Sequence, residues 1–267
     1  MLKTIMAQPF FLIDAFADAP FSGNPAGVVV AESEPDPDWM QSVAAEINQA
    51  ETAFVWPRAE GFGLRWFTPT TEVDLCGHAT LAASEALRHE GRGDAFNFET
   101  ASGLLTSTRV ENDWMMDFPS EPPEALYSSN PVRHTLTEMF HARARWIGAN
   151  RMDWFVEIPS EVSQFKPDLS AIGALGLRGL IVTSSHVECD ADFESRFFAP
   201  QAGVAEDPVT GSAHCALAPY WADRLGKTAL VGYQASARGG RVRVEVRGER
   251  VGLCGHARIV VSGTLRV

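Results

Sequence analysis

The chain carries one segment twice, and that repetition limits what it can fold into. The first copy reads Arg65-Trp66-Phe67-Thr68-Pro69 and continues through Val73 to Cys76-Gly77-His78-Ala79. The second reads Arg196-Phe197-Phe198-Ala199-Pro200, then Val204, Asp207 and Gly211-Ser212-Ala213. Arg65, Phe67, Pro69 and Val73 match Arg196, Phe198, Pro200 and Val204 at one constant offset, which sets Cys76 opposite Asp207. A short insertion in the second copy then brings Gly77-His78-Ala79 opposite Gly211-Ser212-Ala213.

The residues C-terminal to each copy repeat too. Ala79, Ala82, Ala83, Ala86 and Leu87 share the spacing of Ala213, Ala216, Leu217, Tyr220 and Trp221, with Gly91 and Gly226 as stops. That period marks one buried helical face each time. Each half therefore predicts a strand, a turn with a reactive side chain, a glycine and a helix N-terminus. Such an end offers unpaired N–H groups and a positive dipole end, which suit a carboxylate or an enolate oxygen. A duplication that only built scaffold would need no more than a cap there. These turns instead carry Cys, His, Asp and Ser, which points to chemistry.

At 267 residues the chain has room for two medium domains or one large one. Its hydrophobic share of 45% is that of an ordinary globular protein, so disorder is excluded as a class. A formal net charge of -12 argues against nucleic acid or an anionic membrane as partner, since both demand a basic surface. The one arginine-rich stretch, Arg238 to Arg250, alternates with valines around Arg247-Gly248-Glu249 and reads as the wet face of a hairpin. Cys76, Cys189, Cys215 and Cys254 have no paired spacing, which predicts reduced thiols and a cytoplasmic protein. The N-terminal stretch around Lys3 does not read as a signal peptide, and no segment is long enough to span a membrane.

Along the chain, a first strand is expected over residues 10–16, followed by turn formers and the apolar run Val28-Val29-Val30. Asp36 with Pro37 opens a helix that should stop near Asn48. Glu51 then begins a β-rich run, so this carboxylate stands where a helix hands over to a strand at a sheet rim. In the second half Trp154-Phe155-Val156-Glu157-Ile158 is the expected counterpart of the first strand, and Leu180 to Ser184 is another strand. No acid stands in sequence near Gly179, where a counterpart of Glu51 would fall. Pro119-Ser120-Glu121-Pro122-Pro123 is the linker candidate, giving units 1–120 and 121–267, with the last strand able to return to the first unit. The overall class is α+β.

Two lures are set aside. Cys254-Gly255-His256-Ala257 copies Cys76-Gly77-His78-Ala79, but the β-like Arg258-Ile259-Val260-Val261 comes next and offers no helix start. The Cys-x-His pair lacks the spacing of a closed zinc site, so no metal is expected. His89, His134, His141 and His186 have no identifiable partner in sequence.

Taken together, the segments resemble the PhzF family of phenazine-biosynthesis-like isomerases, whose fold is that of diaminopimelate epimerase. The resemblance rests on Asp14-Ala15-Phe16, Gly23-Asn24-Pro25-Ala26-Gly27, Glu51-Thr52-Ala53-Phe54-Val55, Cys76-Gly77-His78-Ala79-Thr80-Leu81 and Glu206-Asp207-Pro208-Val209-Thr210-Gly211-Ser212-Ala213. Ala50 is one departure, since the family usually has serine there. The resemblance implies two pseudo-symmetric lobes, each a β-barrel-like sheet around a central helix, with the site between them. It also implies no cofactor, commonly a homodimer, and a small carboxylate-bearing substrate such as trans-2,3-dihydro-3-hydroxyanthranilate. By motif, Glu51 would shuttle the proton, and His78 and Asp207 would hold or protonate the substrate. Gly77, Gly211 and Ser212 would bind its carboxylate end, with Asn24 and Cys76 beside them.

Two further readings stay open at this point. One is an epimerase or racemase of an amino acid or hydroxy acid, using Cys76 and Asp207 as bases on opposite faces. The other is a small-acid binder with no turnover.

Overall fold

The structure is a computed structural model that describes residues 7–185, 187 and 189–267. His186 and the N-terminal stretch around Lys3 lie outside the described residues. The chain forms two compact units, one running up to Asp117 and joined by Cys254–Val267, the other Phe118–Leu253.

In the first unit β1 (Ala7–Ala15) pairs antiparallel with β2 (Asn24–Val30). β2 lies parallel to β3 (Glu51–Arg58), and a parallel neighbour needs a crossover, supplied by α1 (Pro37–Ile47). Asp36 opens α1 by accepting from the N–H groups of Asp38 and Trp39, and Asn48 ends it in the left-handed region at φ 53°. Met40, Val43 and Ala44 of α1 pack on Val29, Phe54, Trp56 and Phe67 of the sheet. Burying such side chains stabilises the unit by about 1.5–3 kcal/mol each. The sheet continues antiparallel through β4 (Gly61–Phe67), which carries the short β5 (Glu72–Val73). Next α2 (Gly77–His89) crosses to β6 (Ala95–Thr100), parallel to β4, followed by β7 (Gly103–Val110) and β8 (Asp113–Pro119).

The second unit repeats this order. After β9 (Glu124–Ala125) and α3 (Pro131–Met139) come β10 (Trp146–Ala149) and β11 (Asp153–Glu157), antiparallel to each other. The short helix α4 (Leu169–Gly173) lies in the crossover to β12 (Gly179–Ser184), parallel to β11. β13 (Phe193–Ala199) pairs antiparallel with β12 and carries the short β14 (Val204–Asp207). α5 (Gly211–Leu225) crosses to β15 (Ala229–Gln234), parallel to β13, and β16 (Gly240–Arg247) and β17 (Arg250–Gly255) finish the unit. The chain then enters β18 (Ala257–Arg266), which pairs with β1 in the first unit.

The two series of pairings coincide, strand for strand. β10 stands where β1 stands and β11 where β2 stands. The expected counterpart of the first strand, 154–158, is therefore one strand out: β11 matches β2, because both are followed by a crossover to a parallel neighbour. The class is α+β, with each sheet curled around a central helix.

The helices are buried more completely than one apolar stripe requires. In α2 every residue from His78 to Leu87 is buried, including Thr80, Ser84 and Glu85 off the stripe. Strands surround the helix, so the off-stripe positions must satisfy their polar groups inside the protein. Thr80 donates to the Cys76 carbonyl at 2.6 Å and Ser84 to the Ser107 hydroxyl at 2.8 Å. Glu85 accepts from Arg88 and from the Trp114 indole. Both helices end at glycines in the left-handed region, Gly91 at φ 72° and Gly226 at φ 64°.

Each central helix carries one histidine into this interior, His78 and His214, both buried. Burial holds the His78 imidazole down at about 3, and holds His214 at about 4 although its bond to the Thr210 carbonyl works the other way. The unfolded chain binds these protons near pH 6.5 and the folded chain does not, so stability falls as pH drops below 6.5. At pH 5 each costs about 2 kcal/mol. A melting series from pH 7.5 to pH 5 should show that loss, and His214→Gln should remove about half of it, leaving the part due to His78. A melting temperature unchanged across this range would contradict the burial.

Candidate active site

Parallel pairing of β2 and β3 sets Glu51 beside Ala26, two residues along from Asn24, so both strands begin at one rim. The central helix α2 packs on β1, β2 and β3 and begins at Gly77. These three starts bring Asn24, Glu51, Cys76, Gly77 and His78 together, although the sequence scatters them over 54 positions.

His78 is the hub. Its Nδ1 lies 3.2 Å from the Asn24 side-chain nitrogen and 3.5 Å from the Cys76 sulfur. Its Nε2 lies 3.3 Å from a Glu51 carboxylate oxygen. An amide nitrogen only donates, so Nδ1 accepts and the ring proton sits on Nε2, beside Glu51. Because burial keeps His78 unprotonated, this contact joins a carboxylate to a neutral imidazole and is no ion pair. It is also not aligned as a hydrogen bond. Asn24, Cys76 and His78 are buried, whereas the Glu51 side chain keeps 20% of its surface exposed. Glu51 is thus the one of these four side chains that reaches solvent. The carboxylate oxygen, sulfur and one imidazole nitrogen all lie within 4.8 Å of one another.

In the second unit the corresponding turn is built around Asp207. The Thr210 hydroxyl donates to its carboxylate at 2.5 Å. Gln234 at the end of β15 fixes the turn, accepting from the Thr210 N–H at 2.9 Å and donating to the Asp207 carbonyl at 2.7 Å. Beside it Arg178 holds the buried Asp153 with two parallel hydrogen bonds, 2.9 and 2.5 Å. The same guanidinium donates to the Ser212 hydroxyl oxygen at 3.0 Å. Since Ser212 accepts there, its own proton is left to donate elsewhere. His214 does not join this group through its side chain; its Nδ1 donates to the Thr210 carbonyl at 2.9 Å.

Neither Cys76 nor Thr210, the residues that cap α2 and α5, uses its side chain as a cap. The first-turn N–H groups around Gly77-His78 and Gly211-Ser212 thus lack the usual local acceptor.

Asp153 and Arg178 are the residues that sequence reasoning missed. Asp153 on β11 pairs across from Gly179 on β12, as Ala26 pairs across from Glu51. The place of Glu51 is thus held by Gly179, as expected, but an acid stands directly beside it at the place of Ala26, on the neighbouring strand, and is paired with Arg178. Strand register brings it there, which a scan of Gly179's sequence neighbours does not reveal. The copied motif at Cys254 forms the end of β17 and the start of β18, and His256 Nδ1 donates to the Asn112 carbonyl at 2.9 Å. A pocket of about 300 Å³ in the second unit, lined by Phe140, Arg143, Phe165 and Lys166, contains none of the expected site residues.

Comparison with known proteins gives one consistent result. The family model for phenazine biosynthesis-like proteins, PhzC-PhzF, matches residues 13–263. An uncharacterised isomerase of Halalkalibacterium halodurans is 43% identical, covering 98% of this chain and 99% of that one. The mouse phenazine biosynthesis-like domain-containing protein 1 is 37% identical over 97% and 99% of the two chains. A crystal structure of a PhzF-family phenazine biosynthesis protein from Enterococcus faecalis matches with a TM-score of 0.89 at 39% identity, over 98% of this chain and 100% of that one. The fold reaches further still: a hydroxyproline epimerase from Agrobacterium vitis, solved with trans-4-hydroxy-L-proline, shares it with a TM-score of 0.63 at only 9% identity, over 98% and 93% of the chains. With matches that run almost end to end, the chain belongs to the phenazine biosynthesis-like, PhzC-PhzF, family.

Proposed function

We propose that the protein is an isomerase that moves a proton on a small carboxylate-bearing substrate by acid–base chemistry, without a cofactor. The observation that carries this reading is the Glu51 carboxylate, partly open to solvent, beside a buried neutral His78 whose Nδ1 is held by Asn24. A carboxylate in this position can take a proton from carbon and return it. The charge that develops on the substrate needs donors fixed in advance. His78 Nε2–H and the uncapped N–H groups of Gly77 and His78 are such donors. We assign Gly211 and Ser212 to the carboxylate end, and Asp207 to hold or protonate the substrate. Arg178 supports Ser212 as a donor. The family resemblance makes trans-2,3-dihydro-3-hydroxyanthranilate the first substrate to test. The four cysteines, none of them in a disulfide, agree with the reducing cytoplasm we propose as its setting, where we expect a homodimer.

A second reading is an epimerase in which Cys76 is one base and Asp207 the other. It is favoured by the thiol lying 3.5 Å from the His78 imidazole. Variants separate the two readings. Glu51→Gln should cut turnover by about 10²–10⁴-fold, because an amide cannot accept the proton. It should leave binding within about tenfold, a change of roughly 1.4 kcal/mol. Cys76→Ser should retain most of the turnover. A dead Cys76→Ser with an active Glu51→Gln would overturn the isomerase reading in favour of the epimerase.

Turnover in deuterated water gives an independent test. A single shielded base returns part of the original hydrogen, so the isomerised product should keep some protium. Solvent deuterium in essentially every product molecule would instead speak for two bases.

A further inference from the structure

We propose that Glu51, Cys76 and His78 together form a binding site for zinc or a similarly thiophilic divalent cation. They offer a carboxylate oxygen, a sulfur and an imidazole nitrogen, three donor types that zinc takes. These atoms already lie within 4.8 Å of one another. A tetrahedral zinc holds its ligand atoms roughly 3.3–3.6 Å apart. Two of the contacts are at that spacing, 3.5 Å from sulfur to Nδ1 and 3.3 Å from Nε2 to the Glu51 oxygen. Because the thiol and the carboxylate approach different ring nitrogens, an ion must draw one of them across to the other's side. Glu51 is the arm with exposure left to move.

The charge balance suits a buried site. On ligation the Cys76 thiol releases its proton to solvent and binds as thiolate, the carboxylate binds through a lone pair, and the imidazole binds through Nδ1, whose lone pair is released as the hydrogen bond from Asn24 breaks. A dication with one thiolate, one carboxylate and one neutral imidazole carries no net charge, so burying it carries little desolvation cost. Three protein ligands leave a fourth position open, the arrangement of an exchangeable rather than a closed structural site. The bound ion would occupy the lone pairs that the proton shift needs, so it would inhibit. That consequence rests on the isomerase reading, whereas the site itself does not.

Cobalt(II) is the probe. Added to the metal-free full-length protein, it should bind in equimolar amount and give a thiolate-to-cobalt charge-transfer band that zinc abolishes. Cys76→Ser should lose the band, Glu51→Gln and His78→Gln should weaken cobalt binding by about ten- to a hundredfold, and Cys189→Ser should keep it. No band at equimolar cobalt, or a band that survives Cys76→Ser, would overturn the proposal. Should Cys76→Ser fail to fold by circular dichroism, alkylation of the wild-type protein decides. Zinc should protect Cys76 from iodoacetamide in the peptide map, and an unprotected Cys76 would count equally against the site. Neither readout uses a substrate, so the cation site and the proposed reaction stand or fall separately.

Discussion

The burial of most of a helix inside each curled sheet is the constraint on which the rest depends. A helix wrapped by strands can carry only small side chains on most faces, which is why α2 is rich in alanine from Ala79 to Ala86. Any polar group it brings must find a partner in the interior, as Thr80, Ser84 and Glu85 do. The same burial takes His78 out of water and keeps its imidazole neutral. A neutral ring with one nitrogen engaged by Asn24 is a proton donor of defined direction rather than a mobile cation. The helix thus builds the core and fixes the charge state of His78 by the same burial.

The duplication works through a repeated electrostatic bracket. Arg65 grips Glu72 with two hydrogen bonds of 2.6 and 2.7 Å and lies over the Phe67 ring at 5.3 Å. Arg196 grips Glu206 with bonds of 2.7 and 2.9 Å and lies over Phe198 at 4.8 Å. Each arginine fastens the short strand that leads into the turn to the long strand beside it. The bidentate geometry fixes position as well as charge, so lysine would not replace it. Repetition of this bracket accounts for the recurrence of Arg and Phe at one spacing, while the turn residues beyond them differ.

That divergence is where the two units differ in chemistry. The first leaves an acid, Glu51, partly exposed against a neutral imidazole. The second buries its acid, Asp153, under Arg178 and uses the pair to orient Ser212. A buried acid with two hydrogen bonds from one guanidinium is committed to structure, whereas one at a rim beside a neutral ring can exchange a proton.

Much of the scaffold was legible in the sequence, because it is written in local patterns. The spacing of Ala79 to Leu87 and of Ala213 to Trp221, the Asp36-Pro37 start and the strand at Glu51 all report interactions between near neighbours. The repeat itself foretold two like units, and the Cys76 and Asp207 motifs each fall at the turn that leads into a central helix. The burial of α2 on all its faces was not legible, since one apolar stripe looks the same whether the other faces meet water or strands. Only the tertiary structure decided which nitrogen of His78 meets Glu51, because that depends on parallel register between β2 and β3. It likewise decided that Asp153 stands opposite Gly179 and pairs with Arg178, since residues 25 positions apart become neighbours only through strand pairing. Sequence carries the residue types and their local periods, while distances between side chains belong to the fold.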